Sequence, residues 1–77
     1  MTLYEFKCLA EYAQYRVTFT EGIFIEYHIE APIRYALYAI DRFFVEVAYD
    51  LTTNSIIHLV SFIEGDKLDR YSFINLF

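Results

Sequence analysis

Glu26-x-His28-x-Glu30 sets an imidazole between two carboxylates at alternate positions of the chain. On a strand, alternate side chains share a face, so all three would point the same way. Glu46 is a candidate for the same face of another strand. Hard oxygen donors with one imidazole can hold a divalent cation, and a histidine oriented by a carboxylate can act as a base. The solvated face of an amphipathic strand has the same pattern, and no second ligand pair follows at a recognisable spacing. Glu26, His28 and Glu30 are therefore weak metal candidates.

Cys8 is the single cysteine, which excludes an internal disulfide and a Cys-rich metal site. A thiol nucleophile would need His28 or His58 beside it, a third orienting group and donors for an oxyanion. With two glycines in the chain a backbone anion nest is hard to build. Cys8 also falls among tyrosines at helical spacing, where a small apolar side chain fits. His58 stands within an apolar segment, the setting of a hydrogen-bonded structural histidine. Phosphate loops, dinucleotide fingerprints and metalloprotease helices are absent from the sequence. The expectation is a chain without catalytic activity and without a cofactor.

The elements that position these residues can be read from periodicity. Thr2 and Glu5 form a T-x-x-E capping box. Leu3, Phe6, Ala10, Ala13 and Val17 then recur at helical spacing, with Leu9 beside them. Tyr4, Cys8, Tyr12, Tyr15 and Phe19 form a second stripe nearly opposite the first. A surface helix needs one apolar stripe; the second is the expected interaction surface. Residues 17–20 are β-branched enough to read also as the first strand of a hairpin. The preferred reading is a helix ending near Thr20, with Gly22 as the left-handed residue beyond it.

Ile23 to Glu30 alternates at period two, with Ile23, Ile25, Tyr27 and Ile29 on one face, and Ala31-Pro32 breaks it. Tyr35 to Ile40 and Phe43 to Tyr49 are the next strands. If Asp41-Arg42 is their loop, Ile40 faces Phe43, Tyr38 faces Val45 and Ala36 faces Val47. A longer loop stays open, since neither residue is Gly or Asn. Leu51 to Ser55 is turn chemistry, and Ile56 to Ile63 a fourth strand of unassigned face that could carry a bulge. Asp66 is a suitable N-cap for a short C-terminal helix docking through Leu68, Tyr71 and Ile74. Leu76 and Phe77 then make an apolar end that is expected to pack. The order α-β-β-β-β-α predicts a single α+β domain over residues 1–77: an antiparallel meander with helices against it. Whether both helices share a sheet face stays open.

The pattern Leu3-x-x-Phe6, Gly22-Ile23-Phe24-Ile25, Leu37-Tyr38, Phe44-Val45-Glu46-Val47, Ser61-Phe62 and Leu68-Asp69-x-Tyr71 resembles a group of short bacterial proteins with no established activity. The resemblance implies a small free-standing protein of helix–sheet–helix plan and carries no function with it.

Composition narrows the function class. Hydrophobic residues are 57% of the 77, and eight Tyr with eight Phe supply much of that area. An ordinary soluble domain has about 45–50%, so disorder is excluded. A folded chain this short buries only about 60–65% of its unfolded surface, which favours an aromatic patch left over for a partner. The net charge of −5 disfavours nucleic acid and anionic membrane. The first residues show no signal peptide, and the longest apolar run, Tyr35 to Ile40, is strand length. A reduced cytoplasmic setting is expected. The predicted function is a small interaction protein, a homodimer through Tyr4, Cys8, Tyr12, Tyr15 and Phe19. An acidic inhibitor or immunity-type protein that blocks a basic partner is the alternative, and a metal-binding enzyme using Glu26, His28 and Glu30 the third.

Overall fold

The structure, a computed structural model, describes residues 1–63. Its elements are α1 (Leu3–Lys7), α2 (Glu11–Glu21), β1 (Ile23–Glu30), β2 (Ile33–Ile40), β3 (Phe43–Asp50) and β4 (Ser55–Phe62). The strands pair antiparallel in the order β1-β2-β3-β4, the expected meander. The expected C-terminal helix from Asp66 lies outside the described residues. No described helix is long and apolar enough to cross a membrane.

The continuous helix expected from Thr2 to Thr20 is instead two. Thr2 caps α1 as its sequence predicts: its hydroxyl accepts the Glu5 N–H at 3.1 Å, and the Glu5 carboxylate accepts the Thr2 N–H at 2.7 Å. That second bond is the main reason the Glu5 carboxyl lies below its ordinary value. α1 stops at Cys8, and α2 starts after Ala10, whose backbone is extended and whose side chain caps nothing. Gln14 bridges the break, its amide donating to the carbonyls of Phe6 and Leu9 at 3.2 Å each. The break also resets the helical phase. Tyr15, expected on the outward stripe, packs with Val17, Leu3 and Leu9 against the core.

Residues 17–20 are helical. The Thr18 and Thr20 hydroxyls donate to the carbonyls of Gln14 and Arg16 at 2.8 and 2.7 Å, a use of β-branched hydroxyls compatible with a helix. Gly22 is not left-handed as expected. It is extended, with φ −70° and ψ 146°, and its need for glycine is steric: a Cβ there would collide with the Thr18 carbonyl oxygen.

The β2–β3 hairpin has the predicted register, with Asp41 taking a φ of 51° in its two-residue loop. β2 begins two residues before the expected start, at Ile33, directly after the turn containing a cis Ala31–Pro32 bond. Both outer strands carry an extra residue. In β1 it lies between Phe24 and Glu26, so Phe24 rather than Ile23 shares a face with Tyr27 and Ile29. In β4 the register shifts between the partners of Ala48 and Tyr49, leaving Ile57 extra, and this is the bulge the mixed alternation allowed. The turn between β3 and β4 is held by Asp50, whose carboxylate accepts from the N–H groups of Thr52 and Thr53, and Asn54 has a φ of 56°.

α1 and α2 lie on one sheet face. Phe6 is fully buried with its ring 5.3 Å from that of Phe43, and Ile40, Val45 and Val47 complete the cluster.

Candidate functional site

The face opposite these two helices carries the ionisable pattern. The register places Glu26, His28 and Glu30 on it with Leu37, Glu46, Ala48 and His58. His28 Nε2 meets Glu30 Oε1 at 2.8 Å. Glu46 is 1% exposed, and Leu37, equally buried, stands between it and Glu26. Two strand spacings put the backbones of Glu26 and Glu46 about 10 Å apart. His58 Nε2 lies 4.0 Å from Glu46 Oε1, an ion-pair distance too long for a hydrogen bond. Among the described residues no three His, Cys, Asp or Glu side chains are grouped as a metal site. Cys8 is exposed at the end of α1.

The helix side gathers aromatic rings. Tyr15 stacks on Phe19 at 6.2 Å, Phe19 meets Tyr38 edge-on at 5.8 Å, Tyr38 meets Phe24 at 5.7 Å, and Phe24 meets Tyr27 at 4.6 Å. The run passes from α2 across β2 to β1 because the β1 bulge turns Phe24 to this face. These spacings suit edge-to-face and offset aromatic packing. Phe19, Phe24 and Tyr27 nevertheless stay 45–49% exposed. Burial is the main cause holding the Tyr38 phenol above its ordinary value, followed by the nearby Tyr27, while Arg34 pulls the other way. Burial likewise raises Tyr15, aided by Glu11.

Beyond Tyr38 the sheet face bears a groove of about 220 Å³, with Ala36 and Val47 at its centre and Phe19, Tyr38 and Ile56 around it. Arg34 lines one end. Its guanidinium carbon lies 4.6 Å from the Tyr27 ring centroid and 5.1 Å from that of Tyr49. The pairing of Arg34 with Ile29 on one side and Tyr49 on the other produces this arrangement. The Arg34 Nε–H is buried without an acceptor, and no carboxylate among the described residues pairs with the guanidinium.

Of the five residues expected at an interface, the structure brings Tyr15 and Phe19 into the aromatic run. Tyr4 and Tyr12 are 78% and 74% exposed, and no ring contact joins them to it among the described residues. Sequence reasoning missed Phe24, Tyr27, Tyr38, Tyr49 and Arg34 as one surface. The available signal was Pro32: starting the second strand directly after it sets Arg34 beside Tyr49 and near Tyr27. No protein-family model, curated protein or solved structure matches the chain.

Proposed function

We propose that the chain is a small non-catalytic interaction protein that forms a homodimer through the aromatic surface of α2 and β1. The observation that carries this reading is the continuous ring run from Tyr15 to Tyr27, in which Phe19 and Phe24 remain 48% and 45% exposed. Aromatic side chains already held by their neighbours lose little freedom on docking, and they dominate interface energetics. A twofold dimer needs only one self-complementary patch. Tyr4, Cys8 and Tyr12, exposed on the helices, are proposed as further contacts of that interface. The proposed setting is a reducing cytoplasm, which keeps the exposed Cys8 thiol free.

Light scattering over a range of protein concentrations tests the reading. The expected mass is twice 9.2 kDa, returning to 9.2 kDa in a Phe19→Ser/Phe24→Ser variant that keeps its circular dichroism. A wild-type chain that stays at the single-chain mass throughout overturns the dimer. Salt-sensitive capture of a basic protein by such a monomer would instead support the acidic-inhibitor reading, for which the charge of −5 is the motive.

A further inference from the structure

Arg34 is the feature that neither the fold nor a dimer accounts for. The chain has eleven acidic residues against six basic ones, yet no carboxylate among the described residues pairs with Arg34. Its Nε–H is buried with no acceptor, a condition that native proteins rarely leave unmet. The rings of Tyr27 and Tyr49 hold the guanidinium in place through cation–π contact. Such contacts engage the face of the guanidinium and leave its in-plane N–H groups for an acceptor.

The groove beside it defines what else the ligand must carry. Phe19, Ala36, Val47 and Ile56 offer no hydrogen-bonding side chain, while Tyr27, Tyr38 and Tyr49 add one phenol each, so the body of the ligand is largely apolar. A volume of about 220 Å³ falls below the ~300–1,000 Å³ of pockets for drug-sized molecules, which limits that body to about one ring. A single arginine suits a planar monoanion, whereas a phosphate dianion calls for more donors and more charge. We propose that this groove binds a small aryl carboxylate, its ring over Ala36 and Val47 and its carboxylate on Arg34. The proposal goes beyond the dimer and does not depend on it.

The test is a titration of the whole chain with 3-phenylpropionate, followed by NMR at the Arg34 Nε–H and at the tyrosine rings. The expected result is a saturable shift of the Arg34 signal together with Tyr27 and Tyr49. The uncharged 3-phenylpropionamide should bind at least tenfold more weakly. Arg34→Gln should weaken the acid at least tenfold, and Arg42→Gln, at the exposed hairpin loop, should leave it unchanged. If Arg34→Gln does not fold, Ile56→Trp, at a position 43% exposed, blocks the groove while keeping the arginine and should also abolish the shift. Equal binding of acid and amide, or no saturable shift at Arg34, overturns the proposal. So does an acid-induced shift that is lost at protein concentrations where light scattering reads a dimer, which would assign the groove to a second copy. Light scattering reads the dimer separately, so either idea can fail alone.

Discussion

Tyr38 belongs to three environments at once: its ring meets Phe19 of α2 and Phe24 of β1, and its face of β2 leads to Arg34. Its phenol is held above the ordinary value mainly by burial, and the direction fixes the sign of its effect on stability. A group whose folded value is raised gives its full contribution below the unfolded value, about 10 for tyrosine. That contribution is lost as pH rises through the folded value. The melting temperature of the wild type is therefore expected to fall more steeply above pH 10 than that of Tyr38→Phe. Tyr15, raised for the same reason, leaves the variant with a residual slope. Thermal melts from pH 8 to 11.5, with phenolate absorbance read in parallel, check this, and identical slopes would remove Tyr38 as the cause.

At the level of elements, Gln14 closes the break between the two helices. The last carbonyls of a helix need donors from elsewhere, and its amide serves Phe6 and Leu9 together. Gln14→Ala is expected to cost about 1–3 kcal/mol for two part-buried bonds, and to speed amide exchange in residues 3–9 more than in the sheet. Unchanged exchange there would show that Phe6 alone anchors α1. The contrast with the other elements shows what a sequence can reveal. The Thr2–Glu5 box, the Asp41-Arg42 hairpin and the presence of four strands are local and can be read from residue type and spacing, whereas the bulge moves Ile23 off the face that the alternation of β1 predicts. The break at Cys8 to Ala10 has no glycine or proline to mark it, and the side chain that bridges it, Gln14, lies four positions beyond Ala10. Gly22 was legible as a boundary but not in its reason, because the Thr18 carbonyl approaches it only once the helix and β1 are both in place.

For the molecule as a whole, the cluster between the sheet and the two helices is a large part of the core among the described residues. Phe6 fills its centre against Phe43, and Phe6→Ala is expected to cost about 3–5 kcal/mol. Single domains carry about 5–15 kcal/mol in total, and a chain of 77 residues has little core to spare. A urea melt should place the variant close to the edge of unfolding; a shift under about 1 kcal/mol would mean that the core lies elsewhere. The candidate surfaces were less legible than the fold for the same reason that they are interesting. Tyr15 and Phe19 stand out on a helical wheel, whereas Arg34 meets its two tyrosines only across three paired strands. One extra residue in β1 decides which aromatic ring joins them.

The positions of the two extra residues also govern how copies of this chain can meet. Among the described residues β1 and β4 are the outer strands of the sheet, and each has its register interrupted, between Phe24 and Glu26 and at Ile57. Edge strands left regular are templates for strand-by-strand polymerisation, and bulges are among the devices that prevent it. A neighbouring copy laid along either margin would find its ladder of main-chain bonds broken partway. Growth into a fibre is thereby discouraged at both margins, and the exposed rings of Phe19 and Phe24 remain available for a closed, face-to-face assembly.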